Sequence, residues 1–334
     1  MAEREGRGRA FFPRKGCRGQ SKIQNLKSKI QIPVLLGPTG VGKTGLAVTI
    51  AEEVGAEVIS CDSRQVYRFM DIGTAKPTKV EQGRVRHHLI DVADPDEEYN
   101  AGRYAREALE VIGRLSRKGK PFLVVAGTGL YLRALLKGFF DAPSIPPKVR
   151  KRVAAEAEVQ GQAAMHEQLK KVDPESGRRI HPNDPQRTLR ALEVYEATGK
   201  PLSEWWRNGR AVRKEYEPRL VGMTRPRDVL YDRIDKRVEE MIGQGLVEEC
   251  HFLLRRGYSP ELNSLRTLGY REVFEHLDGK RDLPMTVALI QKNTRNYAKR
   301  QMTWFRKEKD VLWLDAEALS EQELGDKVLQ RWGM

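Results

Sequence analysis

The stretch LLGPTGVGKTG, residues 35–45, is the feature that most constrains how this chain can fold. It satisfies the pattern G-x-x-x-x-G-K-[ST] and lies between an apolar segment, IPVLL, and a segment with apolar residues at helical spacing, TGLAVTIAEEVG. Glycines let such a loop curl so that successive N–H groups point at one anion, and the following helix adds its positive N-terminal end. The sequence therefore predicts a strand, a phosphate-binding loop and a helix, in that order.

Two residues of this loop have distinct chemical tasks. Lys43 supplies a mobile cation, and Thr44 offers a hydroxyl to Mg²⁺, the cofactor and metal that we expect. The predicted diphosphate-binding positions are the residues of the pattern itself: Gly37, Pro38, Thr39, Gly40, Val41, Gly42, Lys43 and Thr44. The pattern specifies a diphosphate with its metal, but it does not specify what is attached to that diphosphate.

A nucleotide hydrolase with this loop also needs an apolar strand that ends in Asp to hold the metal, and an element that recognises the base. The corresponding strand, FLVVAG, leads instead into Thr128 and Gly129, and the chain has no guanine-type N-K-x-D. These observations disfavour an ordinary NTPase and leave a nucleotide kinase open.

Predicted strands and helices alternate along the rest of the chain. AEVISCDS and KPFLVVAG are predicted strands, EPRLVGMTR is a returning strand and VLWLDA is a last short one. Long helices are expected between 228 and 256 and from 286 to about 307. This alternation indicates an α/β fold with a P-loop NTPase-like parallel sheet flanked by helices, whose functional residues gather at the carboxyl ends of the strands.

One region interrupts this alternation. From FFDAPSIPPKVR to about residue 210 the sequence is polar and helical, which indicates an inserted helical subdomain. We therefore divide the chain into 1–31, a basic leader expected to be disordered; 32–141, the first part of the P-loop core; 142–210, the inserted helical subdomain; 211–320, the second part of the core; and 321–334, a C-terminal tail.

The net charge of +14 is unevenly distributed. The leader holds nine Lys or Arg residues against Glu3 and Glu5, a surplus of seven, and it lacks the apolar core of a secretory signal. The surplus in the remainder favours a nucleic-acid partner. Cys17, Cys61 and Cys250 are too scattered for a disulfide framework or a zinc site, and no apolar run approaches the roughly 18 residues of a membrane span. We expect a cytoplasmic protein without a membrane, with an organellar form as the open alternative.

A second motif, DSRQVYRFMDIGTAKP, follows the second predicted strand. Its first residue, Asp62, sits at the carboxyl end of that strand, where a catalytic carboxylate could face the same crevice as the phosphate loop. The alternative is that Asp62 only caps the following turn, as an Asp-Ser pair commonly does. The sequence pattern alone leaves both interpretations open.

Seven motifs together are similar to those of one family. In this order, the chain contains GPTGVGKT, DSRQVYRFMDIGTAKP, HHLIDVADP, AGTGLYLRALLKG, RIHPNDPQRTLRALEVYEATGKPLSE, SLRTLGYRE and RNYAKRQMTWFRK. These motifs resemble those of the tRNA dimethylallyltransferases, or tRNA isopentenyltransferases, of bacterial type, from about residue 32 to about 314. The resemblance implies transfer of the dimethylallyl group from dimethylallyl diphosphate to the exocyclic 6-amino group of adenosine at tRNA position 37, releasing diphosphate.

The resemblance also implies catalytic roles. Asp62 would accept the proton of the adenine amino group, while Lys43 and Thr44 would act on the leaving diphosphate. An arginine of the helix VLYDRIDKRV would clamp the diphosphate, with Arg233 as our first choice and Arg237, on the same helical face, as the second. The alternative is that both arginines are solvated helix charges or surface ion pairs.

The expected partner is the tRNA anticodon loop, bound by the inserted subdomain and by a basic helix of the second core part. By resemblance, the tRNA-binding residues are Asp62, Ser63, Arg64, Gln65, Thr128, Arg150, Gln186, Arg187, Arg190, Arg266, Thr267, Gly269, Tyr270, Arg271, Lys299, Arg300, Gln301, Trp304 and Arg306. Independently of the resemblance, Lys292, Arg295, Lys299 and Arg306 recur at helical spacing, which predicts one basic helical face.

Two other functions explain part of the sequence. A P-loop kinase for a nucleotide or small hydroxyl compound would use the loop and the α/β pattern, but it would need ATP. A non-catalytic RNA-binding protein with a vestigial loop would not need intact Lys43, Thr44 and Asp62. We expect the transferase, acting as a monomer.

Overall fold

The computed structural model describes residues 29–138, 145–208 and 215–334. Its centre is one parallel sheet with strand order β3-β2-β4-β1-β5-β6. The strands are β1 (Ile30–Leu36), β2 (Glu57–Cys61), β3 (His87–His88), β4 (Phe122–Ala126), β5 (Tyr216–Thr224) and β6 (Leu312–Asp315). The predicted α/β fold is confirmed.

Helices cover both faces of this sheet. In chain order, those in the described residues are α1 (Lys43–Glu53), α2 (Lys79–Arg84), α3 (Ala101–Arg117), α4 (Gly129–Lys137), α5 (Pro147–Val172), α6 (Pro174–Arg179), α7 (Pro185–Thr198), α8 (Leu202–Asn208), α9 (Arg227–Gly243), α10 (Leu246–Arg255), α11 (Tyr270–Leu277), α12 (Leu283–Phe305) and α13 (Glu321–Trp332).

The buried residues of the central strands divide between two apolar cores, because successive side chains of a strand point to opposite faces. In β1, Val34 and Leu36 belong to the larger core, and Leu35 belongs to the smaller core on the other face. Helices α3, α4, α10 and α11 contribute to the larger core, and α1 and α13 to the smaller one. Because all strands are parallel, their carboxyl ends share one edge of the sheet.

Helices α5 to α8 enclose a third, separate apolar cluster that includes Val153, Met165 and Leu192. They lie in the chain between α4 and β5, in the part of the sequence where an inserted helical subdomain is expected. Helix α5 is interrupted at Gly161, whose φ of 78° is left-handed. The expected boundaries at 141/142 and 210/211 fall outside the described residues.

The structure corrects the two ends of the core. Strand β1 begins at Ile30 rather than Ile32, because Ile30 and Gln31 pair with β5; of the leader, residues 1–28 lie outside the described residues. The segment expected to be a tail is helix α13, which buries Trp332 to 1 % exposure, and the indole Nε1 of that residue donates to the carbonyl of Arg219 at 3.0 Å. The C-terminal segment is therefore part of the core.

Candidate active site

A cavity of about 1020 Å³ opens at the carboxyl edge of the sheet. Its walls come from the phosphate loop, the segment after β2, the end of β4, helix α9, the segment 266–271 and helix α12. These elements are far apart in the chain and meet because the strands are parallel. The cavity is the natural place for a ligand in a sheet of this type.

The phosphate loop has the backbone geometry that its glycines predict. Gly40 and Gly42 have φ values of 80° and 105°, which favour glycine. A Cβ atom at Gly40 would also lie 2.9 Å from Cγ1 of Ile234 on α9. Helix α1 starts directly after Gly42, so its N-terminal end faces the loop.

Lys43 bends back over this loop. Its Nζ donates a hydrogen bond to the carbonyl of Pro38 at 2.8 Å. Burial and, to a smaller extent, the nearby charge of Arg237 lower the pKa of Lys43 to about 7, while the carboxylate of Asp62 opposes the shift. A half-buried cation with so low a pKa would be stabilised by a bound anion.

Both candidate arginines of α9 reach the phosphate loop. Arg233 Nε donates to the carbonyl of Gly40 at 3.0 Å, and Arg237 Nη1 donates to Thr39 Oγ1 at 3.3 Å. Arg233 is exposed, whereas Arg237 is half-buried and burial lowers its pKa. Both side chains therefore contact the phosphate loop, and Arg237 lies deeper than our first choice, Arg233.

A third arginine at the loop was missed by the sequence analysis. Arg225 follows β5, and its Nε donates to the carbonyl of Val41 at 3.2 Å. The same guanidinium forms an ion pair with Glu317 after β6. The sequence did contain a signal for this contact. Arg225 is a basic residue at the end of a predicted strand, and that position faces the loops that follow neighbouring strands at the carboxyl edge of the sheet.

Asp62 fits both interpretations that the sequence left open. Its Oδ1 accepts from the backbone N–H groups of Arg64 at 2.8 Å and Gln65 at 3.4 Å, so it does cap the turn. Its Oδ2 faces Gly127, where an added Cβ would approach it to 2.7 Å. One carboxylate oxygen therefore orders the turn, while the residue also lines the cavity.

Gln301 of α12 joins the two sides of the cavity. Its Oε1 accepts from the N–H of Thr39 at 2.9 Å, and its Nε2 donates to the carbonyl of Gly127 at 2.7 Å. The residue is 7 % exposed. We expected Gln301 to contact tRNA, but both ends of its side-chain amide already form hydrogen bonds within the protein.

The end of β4 is tied to the segment after β2. Thr128 Oγ1 accepts from the N–H of Ser63 at 3.0 Å, and both residues line the cavity. Gly129 packs against Trp304, since a Cβ there would lie 1.9 Å from the indole Cδ1. Trp304 is also covered by Arg133, whose guanidinium carbon lies 4.8 Å from the ring centroid, so it serves packing in this structure.

The segment 266–271 divides between cavity and core. Arg266, Thr267, Gly269 and Arg271 line the cavity. Tyr270 is 0 % exposed, so its side chain cannot meet RNA in this conformation. The alternation arises because α11 starts at this residue and turns its ring into the protein.

The face of helix α12 that lines the cavity differs from the basic face that the spacing of its charges predicts. The cavity-lining residues of this helix are Ile290, Asn293, Thr294, Tyr297, Arg300 and Gln301. Lys292 and Lys299 are exposed on the other side, and Arg295 is paired with Asp235 of α9 at 2.5 Å. The face predicted from the charge spacing is therefore not the side of the helix that lines the cavity, which is largely polar and apolar.

The remaining expected tRNA contacts lie away from the cavity. They are Arg150, Gln186, Arg187, Arg190, Lys299 and Arg306. Arg150 pairs with Glu98 at 3.2 Å, and Arg187 pairs with Asp184, the N-cap of α7, at 3.4 Å. These are surface pairs of the kind that contribute little to stability and can be exchanged for phosphate.

Within the described ranges, no group of three or more His, Cys, Asp or Glu side chains could hold a metal ion. Thr44 lines the cavity at the first turn of α1, and its hydroxyl makes no side-chain hydrogen bond in this part of the chain. A metal here would therefore need oxygen ligands from its substrate. In the same residues, no helix has the length and apolar character that crossing a bilayer requires.

Comparisons with known proteins agree on one family. The family model for IPP transferase matches residues 65–308. The tRNA dimethylallyltransferase of Syntrophobacter fumaroxidans is 49 % identical over 87 % of this chain and 85 % of its own length. That of Thermotoga petrophila is 45 % identical over 89 % of this chain and 95 % of its own.

Solved structures are similar over nearly the whole chain. The tRNA isopentenylpyrophosphate transferase of Bacillus halodurans has a TM-score of 0.66 and 37 % identity, covering 91 % of this chain and 97 % of that one. A eukaryotic dimethylallyltransferase captured acting on tRNA has a TM-score of 0.74 and 28 % identity, covering 90 % of this chain and 77 % of that one.

Proposed function

The chain belongs to the IPP transferase family, and we propose that it transfers the dimethylallyl group of dimethylallyl diphosphate to the exocyclic 6-amino group of adenosine at tRNA position 37, releasing diphosphate. The observation that carries this proposal is that the phosphate loop and Asp62 open into one cavity. A diphosphate on the loop would bring its reactive carbon toward a carboxylate. The kinase alternative is not supported by the relatives, which are transferases.

The donor is expected to bind at the phosphate loop. Backbone N–H groups of residues 40–44, the N-terminal end of α1, Lys43 and Arg237 surround the place where a diphosphate would lie. As the bond from the allylic carbon to the diphosphate oxygen breaks, negative charge builds up on the leaving oxygens. Fixed cations and N–H groups at that position stabilise this charge, which is the main source of rate enhancement that we assign to the loop.

The acceptor needs a base, because the lone pair of an adenine amino group is delocalised into the ring. The nitrogen forms a bond to the allylic carbon as the diphosphate leaves, and the amino proton passes to Asp62. Oδ1 of Asp62 is occupied by the backbone of its own turn, which leaves Oδ2 for this proton. The turn therefore orients the base.

Thr44 and the diphosphate oxygens would together hold Mg²⁺. The free hydroxyl at the start of α1 suits this hard cation, which prefers oxygen ligands and keeps several waters. When bound, the ion would supply additional neutralisation of the leaving diphosphate.

Recognition of tRNA is expected from the cavity rim outward. The target adenine must leave its stack to enter the cavity. Arg64, Arg266, Arg271 and Arg300 line that cavity and would meet the phosphates and bases around the adenine. The exposed residues of α7 and of the other face of α12 would contact the backbone farther away. We expect the protein to act as a monomer.

Label transfer tests the proposal. Dimethylallyl diphosphate labelled in its allylic group is incubated with Mg²⁺, enzyme and unmodified tRNA carrying adenosine at position 37. We expect label in the tRNA with adenosine, none in a matched tRNA with guanosine at that position, and no requirement for ATP. Absence of transfer together with ATP consumption would instead support the kinase.

A further inference from the structure

The segment 71–77, DIGTAKP, forms the wall of the cavity next to the Asp62 turn. Gly73, Thr74, Ala75 and Pro77 line the cavity, and this segment has no regular secondary structure of its own. Its position must therefore be set by other parts of the protein.

One carboxylate outside the cavity holds the first half of this segment. Oε2 of Glu249, on α10, accepts from the N–H groups of Asp71 and Ile72, both at 2.9 Å. Oε1 accepts from the N–H of Gly73 at 3.2 Å and from the hydroxyl of Tyr270 at 2.5 Å. Three successive backbone N–H groups that converge on one anion form a nest, here filled by a side chain of the protein.

The ring of Tyr270 closes the same contact from the other side. A Cβ added to Gly73 would lie 2.4 Å from Cε2 of Tyr270 and 2.9 Å from Cδ1 of Leu246. The glycine thus permits the segment to press against α10 and α11. Burial and the adjacent Glu249 carboxylate raise the pKa of Tyr270 well above its ordinary value, so its hydroxyl remains a donor.

A buried lysine anchors the opposite side of the segment. Lys76 Nζ donates to Asp71 Oδ1 at 2.7 Å, Asp91 Oδ1 at 2.5 Å and the carbonyl of Tyr67 at 2.5 Å. All three donors of this ammonium group are therefore used. Because this anchor is independent, loss of the Glu249 contacts should shift the segment without releasing it.

Hydrogen bonds lead from the segment to the proposed base. Gln65 Nε2 donates to the carbonyls of Ala75 at 3.1 Å and Thr74 at 3.4 Å. The backbone N–H of Gln65 in turn donates to Asp62 Oδ1 at 3.4 Å. A shift of residues 73–75 therefore reaches the turn that orients Asp62.

We propose that Glu249 is a positioning residue for the acceptor side of this cavity: it fixes residues 71–73 and, through Gln65, the turn of Asp62. This inference rests on the proposed function and adds to it a residue that touches neither substrate. The phosphate loop makes no hydrogen bond to residues 71–77 in the described chain, so donor binding is independent of Glu249.

The test is Glu249→Gln, with Glu248→Gln as its matched control. The amide retains one acceptor oxygen but places an NH₂ group against the N–H of Gly73, a repulsive pair of donors. Glu248 is exposed and acidic like Glu249, and its side chain makes no hydrogen bond within the described residues. For each protein, kcat/KM for tRNA, the Kd of dimethylallyl diphosphate without tRNA, and the thermal unfolding midpoint are measured.

We expect Glu249→Gln to lower kcat/KM for tRNA at least tenfold with the Kd of dimethylallyl diphosphate unchanged within twofold, and Glu248→Gln to change neither. Equal kcat/KM for both variants, or a loss that appears only in the unfolding midpoint, would overturn the positioning role. If Glu249→Gln does not fold, Tyr270→Phe decides, with an expected threefold or larger loss of kcat/KM for tRNA and no loss if the inference is wrong. A wild type without transfer activity would contradict the proposed function instead.

Discussion

The two sides of the cavity differ in how their residues are distributed along the chain. The donor side consists of the phosphate loop, residues 37–44, with Arg233 and Arg237 of α9. The acceptor side consists of residues 62–77, the end of β4 at Gly127 and Thr128, the segment 266–271 and the cavity-lining residues of α12. The donor side is mostly one contiguous motif, whereas the acceptor side draws on four segments that are distant in the chain.

This difference teaches how local each function is. Binding of a diphosphate needs a backbone curve and a helix end, which neighbouring residues can form. Placement of a nucleobase against a carboxylate needs walls from several directions, which only the tertiary fold can bring together. Gln301 is the direct bridge between the two sides, through Thr39 and Gly127.

Among these substitutions, we expect Lys43→Met to have the largest effect on the donor side while leaving the acceptor side unchanged. A charge-assisted hydrogen bond to phosphate is worth about 1.5–3 kcal/mol, and loss of one stabilising group for a leaving oxyanion costs about 10²–10³-fold in rate. We expect kcat/KM for dimethylallyl diphosphate to fall about 10³-fold. The Kd of tRNA, measured by filter binding, should stay within twofold; a parallel loss of tRNA affinity would remove the distinction between the sides.

The next effect distinguishes the two arginines of α9. Because Arg237 is the more buried and its charge acts on Lys43, we expect Arg237→Gln to weaken dimethylallyl diphosphate binding about tenfold or more. Arg233→Gln, at the exposed position, should weaken it less than about threefold. Calorimetric titration of both variants checks this order, and the reverse order would restore Arg233 as the clamp.

On the acceptor side, substitutions of two basic residues of α12 test which face of this helix contacts tRNA. Arg300 lines the cavity, whereas Lys292 is exposed and does not line it. We expect Arg300→Gln to raise the KM for tRNA about five- to tenfold and Lys292→Gln to change it less than twofold. Equal effects would mean that tRNA lies along the basic face instead of the cavity face.

The smallest expected effect is the uptake of a proton by the donor side when dimethylallyl diphosphate binds. The pKa of Lys43 is about 7 in the free protein, and the negative charge of a bound diphosphate should raise it. At pH 8 the free lysine is mostly neutral and the bound one charged, so binding should take up between about 0.5 and 1 proton. Affinity should therefore decrease as the pH rises above 7.

Calorimetry in buffers of different ionisation enthalpy measures this uptake. Below pH 7 Lys43 is already protonated, so its contribution should vanish there. Lys43→Met provides the control and should show no uptake at pH 8. Equal proton uptake in the variant and the wild type would assign the linkage to another group.

The sequence was sufficient for the fold and for the backbone of the phosphate loop, because strand periodicity and the glycine pattern act locally. It was insufficient for the side of α12 that lines the cavity, since basic spacing does not indicate which side neighbouring helices such as α9 and α11 will cover. Arg225 and Glu249 were missed for a related reason. Each acts on a backbone segment distant in the chain, through hydrogen bonds that only tertiary structure brings into range.

The resemblance supplied candidates that the structure then separated by position. Arg64, Arg266 and Arg271 line the cavity, while Tyr270 is buried as a structural residue. A motif marks residues that occur together, and it does not distinguish a side chain that meets the ligand from one that supports its neighbour. Burial and hydrogen-bond partners provide that distinction.

The most direct test of the account is Asp62→Asn, examined for donor binding and for single-turnover transfer to tRNA. The amide keeps Oδ1 as the acceptor of the turn but has no basic oxygen for the amino proton. The account predicts a Kd for dimethylallyl diphosphate no weaker than that of the wild type, with transfer slowed at least about 100-fold. Transfer at nearly the wild-type rate would contradict the assignment of Asp62 as the base on the acceptor side.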